Sequence, residues 1–160
     1  MKPRRCLTLV LISTALACSH TAHLYPVEGP LSAQTPPPVL TAKFTGVFTP
    51  GDFSATLGDG EICKGHFAVV PRDPNPKAGS PGARADEDLR SAWDAVYGSG
   101  FYVSHVLGAR LHGRVVASGD RGTVLTIELY KPEIIDNKVN TALPKGVAQD
   151  NKGNTFKVVL

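Results

Sequence analysis

The sequence predicts a mainly β domain: an antiparallel small barrel or sandwich of about seven strands, with one α-helix over residues 85–97. Three observations predict it. Apolar and polar residues alternate in short blocks after residue 39, which is the period of a half-buried strand. A single stretch changes to helical period. One hairpin-like pattern occurs twice, at 116–129 and 147–160.

The elements follow in order. In VLTAKFTGVF, Leu40, Ala42, Phe44, Gly46 and Phe48 share one parity, opposite Thr41, Lys43 and Thr45. That pattern is a first strand, and Pro50-Gly51-Asp52 turns it back. FSATL reads as a second strand, closed by Gly58-Asp59-Gly60, and EICKGHFAVV as a third, stopped at Pro71. Residues 71–85, with four prolines and two glycines, are a loop by composition. Leu89, Ala92, Trp93 and Val96 then fall at i, i+3, i+4 and i+7, one face of a helix. Asp86, Glu87 and Asp88 suit its positive N-terminal end. Gly98 stands where a left-handed C-terminal residue is expected. Phe101–Leu107 reads as a strand, and a short strand is expected around Ile134-Ile135.

The last four strands are two hairpins. VASGDRGTVLTIEL aligns without gaps to VAQDNKGNTFKVVL, with a basic residue and a glycine closing each turn. LGDGEICKG has the logic of a hairpin connection too. In the first aligned hairpin, pairing Ala117 with Thr123 puts Leu111, Gly113 and Val115 on one apolar face with Leu125, Ile127 and Leu129. The other face then carries Arg110, His112 and Arg114, with His112 opposite Glu128.

The chain begins differently. Met1-Lys2-Pro3-Arg4-Arg5 is basic, Leu7–Ala17 is apolar, and small residues follow. This is the layout of a secretory signal peptide, too short to span a bilayer as a helix. Ala15-Leu16-Ala17-Cys18 resembles the lipobox of bacterial lipoproteins, although Leu stands at 16 where the commonest pattern has it earlier. The resemblance implies cleavage before Cys18 and acyl chains on that cysteine. More than one chain makes a stable anchor where a single chain does not. Ser19 in place of Asp implies, by the same resemblance, the outer membrane of a Gram-negative envelope. Three segments are therefore expected: a signal peptide at 1–17, a lipidated cysteine and Pro-rich tether at 18–38, and one β-rich domain at 39–160. A tether of that length, fully extended, would reach roughly 60 Å. Its LYPV patch at 24–27 is free to dock on the domain instead.

Cleavage removes Lys2, Arg4 and Arg5, which leaves 14 basic against 14 acidic residues. A neutral chain lacks the basic patch that a nucleic-acid partner needs. Cys63 becomes the sole thiol besides Cys18, so no disulfide forms within the chain; it is either buried or pairs between chains.

Few residues suggest chemistry. Cys63 and His66 have the spacing of half a metal site, with His105 and His112 as possible completions. Strand parity opposes this, because residues 63 and 66 point to opposite faces. A thiol nucleophile at Cys63 lacks a local signature, and no Gly-x-Ser-x-Gly elbow is present. Asp59 and Glu61 are a candidate carboxylate pair, read as a solvated turn. The Arg110, His112 and Arg114 face is a candidate surface for an anionic partner, or a solvated face neutralised by Glu128. Trp93, Tyr97, Phe101 and Tyr102 gather at the helix-to-strand junction, as core or as a partner surface. The expectation is a non-enzymatic envelope lipoprotein without a cofactor. Its partners would be the membrane, through Cys18, and another envelope protein or cell-wall component. A small-ligand or metal-binding module and an envelope hydrolase or thiol enzyme are the rival readings.

Overall fold

The structure, a computed structural model, describes residues 19–70, 81–107, 109, 111–132 and 143–160, with the backbone alone for 81–88. It is mainly β, an eight-stranded antiparallel barrel closed on itself. The strands are β1 (His20–Glu28), β2 (Leu40–Phe44), β3 (Gly51–Thr56), β4 (Ile62–Val69), β5 (Leu111–Gly119), β6 (Val124–Lys131), β7 (Lys145–Asp150) and β8 (Thr155–Val159). Each pairs with its neighbours in sequence, and β8 returns to β1. Helix α1 (Pro81–Tyr97) and a π-helical turn (Tyr102–Val106) lie between β4 and β5.

The alternation read from the sequence is the inside–outside alternation of the wall. Leu40, Ala42 and Phe44 point inward with Ala22, Leu24, Phe53, Ala55, Cys63, Phe67, Val115, Ala117, Leu125, Ile127, Leu129, Ala148, Phe156 and Val158. These side chains fill the barrel, with Phe44 edge-on to Phe53 and to Phe67. Gly113 makes room for Phe67, whose ring tip occupies the place a β-carbon would take. Thr21, His23, Thr41, Lys43, Asp52, Thr56, Lys64 and His66 point outward and are exposed. The outer wall mixes these polar residues with exposed Tyr25, Ile62, Val116, Val124 and Val159.

Four expectations need correction. Residues 20–28, expected in the tether, are β1, paired on both sides. Only Ala22 and Leu24 mark its inner face, and Pro26 stands beside a register shift, where the ladder does not need its missing N–H. Phe101–Leu107, expected as a strand, is the π-helical turn, with the Leu107 N–H donating to the Tyr102 carbonyl at 2.9 Å. Tyr102 and Val106 both pack into a second apolar cluster with Leu89, Ala92, Trp93, Tyr130 and Val147, and this packing overrides β propensity. Helix α1 starts four residues before the expected 85, with Pro81 as its first residue, a position that tolerates a missing N–H. Gly98 ends it in the left-handed region, as expected (φ 106°), its N–H bonded to the Asp94 carbonyl. The β5–β6 register places Ala117 opposite Leu125, two residues from the expected pairing. A shift of two keeps every side chain on its face, so Val115, Leu125, Ile127 and Leu129 stay inward as expected, while Leu111, at the start of β5, is exposed. The strand expected around Ile134-Ile135 lies outside the described residues.

Candidate functional site

Because neighbouring strands alternate in direction, the β1–β2, β3–β4, β5–β6 and β7–β8 connections share one end of the barrel. Ser19, the β2–β3 turn and α1 belong to the other. Three of the four connections are the same turn. Leu57, Gly119 and Asp150 each donate an N–H to the carbonyl four residues on, in Glu61, Thr123 and Asn154. Gly60, Gly122 and Gly153 each donate back three residues, to Leu57, Gly119 and Asp150. All three glycines are left-handed, at φ 81°, 87° and 82°, where a side chain would be strained. The twofold repeat in the sequence is thus a threefold repeat of turn geometry.

Each of the last two turns is held by a carboxylate, from different places. Asp150 Oδ1 accepts from its own turn, from the N–H groups of Lys152 and Asn154, both at 2.9 Å. In the aligned turn that position is Gly119, which has no side chain. Glu61, from the neighbouring β3–β4 connection, fills the gap. Its Oε1 accepts from the N–H groups of Arg121 (2.8 Å) and Thr123 (3.2 Å), the residues aligned with Lys152 and Asn154. Its Oε2 accepts from the Thr123 hydroxyl at 2.5 Å, and Lys152 Nζ lies 3.7 Å away. The Glu61 carboxylate occupies the space beside Gly119 that a β-carbon would claim. Glu61 is therefore a buried structural anion, not the solvated turn residue or half of a carboxylate pair suggested by its sequence. Asp59 faces outward and pairs with Arg121 at 3.0 Å.

The Thr123 hydroxyl, then the two backbone N–H groups and Lys152, outweigh burial and lower the Glu61 pKa from 4.5 to about 2. The folded state thus keeps this carboxylate ionised where the unfolded chain would take up a proton. Its contribution to stability is complete above pH 4.5 and disappears as pH falls toward about 2. Urea midpoints measured across that range should fall more steeply for the wild type than for Glu61→Gln. Parallel curves would remove Glu61 from the account of acid stability.

At this end the segment between β1 and β2 folds across the barrel mouth. The Leu31 N–H donates to Asn154 Oδ1 at 2.8 Å, tying it to the β7–β8 turn. Beneath it is an open cavity of about 600 Å³. Pro30, Leu31, Pro38 and Leu57 form its apolar walls, and Asp59 and Lys152 place opposite charges on it. Its size is that of a small-molecule site, and a barrel mouth is a usual place for one. The individual residues gave no sign of this cavity; it forms where the β1–β2, β3–β4 and β7–β8 connections meet at one end.

The other sequence-predicted residues are dispersed. Cys63 points into the barrel, fully buried, while His66 points out and pairs with Asp52 at 2.9 Å. Parity separates them as the strand argument required, so they form no half-site. Cys63 is therefore buried, the first of the two expected alternatives. Burial, then the nearby Glu61 charge, raise the Cys63 pKa, the opposite of an activated thiol. His105 is stacked on Phe101 at 4.4 Å, on the outer face of the π-helical turn. Among the described residues no group of three or more His, Cys, Asp or Glu is placed to hold a metal ion.

The expected surface for an anionic partner is not open. Arg110 lies outside the described residues. His112 and Arg114 are buried or nearly so and already have an anion, the fully buried Glu128. Glu128 Oε1 meets His112 Nε2 at 2.5 Å and Arg114 Nη2 at 3.3 Å. Its Oε2 accepts from the Trp93 indole N–H at 2.5 Å. The pairing Arg114↔Glu128 is direct across the strands, and His112 reaches Glu128 diagonally. The face is a helix-docking site within the chain rather than a solvated one. The aromatic cluster divides: Trp93 and Tyr102 are core, while Tyr97 and Phe101 are half-buried under Lys145.

No protein family, curated protein or solved structure matches the chain. What the mouth can do chemically is bind: apolar walls receive an apolar body, and Asp59 and Lys152 orient a polar end.

Proposed function

We propose that the protein is a lipid-anchored envelope lipoprotein that acts by binding, with the mouth cavity as its site. The lipobox-like Ala15-Leu16-Ala17-Cys18 supports the anchor. The observation that carries the reading is placement. β1 begins at His20, two residues after Cys18, and runs to the end of the barrel that holds the cavity. Nine residues of tilted strand set the cavity roughly 20–25 Å beyond the anchor. On this reading the barrel wall itself is the spacer, in place of the longer extended tether, and the cavity opens away from the bilayer. The ligand class is a small amphipathic molecule, its apolar body against Leu31 and Leu57 and its polar end between Asp59 and Lys152.

Two measurements test this. Membrane-fraction protein should yield an acylated peptide beginning at Cys18, and Cys18→Ser should leave that fraction; an unmodified residue 18 would overturn the anchor. Small molecules extracted from purified wild type should be absent from Leu57→Trp, whose added ring fills the cavity while melting stays cooperative. Identical extracts from the two proteins would overturn the cavity as the site.

A further inference from the structure

A second concavity lies on the outer wall, at the end where β1 begins. It holds about 540 Å³ and is lined by Ser19, Lys43, Thr45, Ser54, Lys64 and His66, together with Asp52. Its central feature is a register row. Lys43 on β2, Ser54 on β3 and Lys64 on β4 are direct cross-strand partners with outward side chains. Strands about 4.8 Å apart place the two lysine backbones roughly 10 Å apart, with the Ser54 hydroxyl between them. Two ammonium groups on flexible stems can therefore close on one anion of phosphate size. Among the described residues neither lysine forms an ion pair. The one acid of the cleft, Asp52, is held by His66 at 2.9 Å.

We infer that this cleft receives the phosphate of an anionic phospholipid headgroup in the membrane that anchors the chain. Three observations select that source. Ser19, the residue after Cys18, lines the cleft, so the lysines stand at the height of the bilayer surface when Cys18 is acylated. The inference rests on the anchor reading in this respect. The chain from residue 18 carries balanced charge, 14 basic and 14 acidic residues, so attraction to an anionic surface has to be local. Lys43 and Lys64 share the cross-strand row of Thr21, three residues after Cys18, so both stand beside the anchor. The cleft would also fix rotation: an acylated cysteine alone lets the upright barrel turn about its axis, whereas a headgroup held at the foot of β2–β4 fixes that turn.

The test uses residues 18–160, which hold every strand of the closed barrel, with Cys18→Ser so that no acyl chain contributes. Partition is measured onto phosphatidylcholine vesicles with and without phosphatidylglycerol. The protein should bind only the anionic vesicles, and salt should weaken it. Lys43→Gln and Lys64→Gln should each weaken binding about fivefold, and together roughly 25-fold. Lys157→Gln, farther along the wall on β8, should leave binding unchanged and control for net charge. Equal loss with Lys157→Gln, or no preference for anionic vesicles, would overturn the cleft. So would binding of inorganic phosphate at the two lysines without any vesicle binding, which would make the site one for a soluble anion. Because acylation is absent, the result stands apart from mass analysis of Cys18, and either reading can fail alone.

Discussion

Replacing Trp93 with alanine should lower stability by about 3–5 kcal/mol, the usual cost of truncating a fully buried tryptophan. Trp93 is wholly inaccessible to solvent. Its ring stacks on Tyr97 at 5.4 Å and Phe101 at 5.8 Å and stands edge-on to Tyr130 at 6.3 Å. It is the contact that joins α1, the π-helical turn and the barrel wall. Urea unfolding followed by circular dichroism measures the loss, since the only tryptophan is gone. Trp93→Phe separates packing from hydrogen bonding. It keeps a ring in the cavity but leaves Glu128 Oε2 without its indole donor, at a cost of about 1–3 kcal/mol. If Trp93→Ala cost less than 1 kcal/mol, α1 would not be docked as described.

Glu128→Ala should be equally damaging for a different reason. Removing one partner of a buried ion pair costs about 3–5 kcal/mol. Here Glu128 is the shared partner of His112, Arg114 and the Trp93 indole, and alanine removes it from all three at once. Glu128→Gln should be milder: it keeps the shape and an acceptor for the indole while removing the charge. The lone tryptophan reports the structural consequence directly. A red-shifted emission in Glu128→Ala would show α1 lifting from the wall while the barrel remains closed. Loss of strand signal at the same urea concentration would show the two layers failing together. A double-mutant cycle with Trp93→Phe should give a coupling of about 0.5–3 kcal/mol, since the two side chains touch. Simple additivity would contradict the contact.

What the sequence disclosed follows the range of the interactions involved. The inner faces of β2, β5 and β6 were legible because Leu40, Ala42 and Phe44, or Leu125, Ile127 and Leu129, repeat every second residue. The end of α1 was legible because Gly98 punctuates it locally. β1 was missed because only two small or apolar inward residues mark it, among polar and proline neighbours. Phe101–Leu107 was misread because a seven-residue apolar stretch does not carry its period, and Trp93 and Asp94 decide its conformation from the preceding helix. The local pattern around Glu61 and Glu128 points both to solvent. Their burial depends on partners at long separation, Thr123 for one and Trp93 for the other, which no local pattern reports. The mouth cavity is the extreme case, since it is a property of where three connections meet.

The seam between β1 and β8 has a consequence for assembly in time. Every other strand pair joins neighbours along the chain, so those hairpins can form as soon as both halves exist. The seam joins Leu24 to Val158, across nearly the whole domain, and such long-range closure is the slow part of folding. Until β8 arrives, β1 and β7 each present an unpaired edge, the kind of template on which chains aggregate. During synthesis the first strand made is the last to be completed.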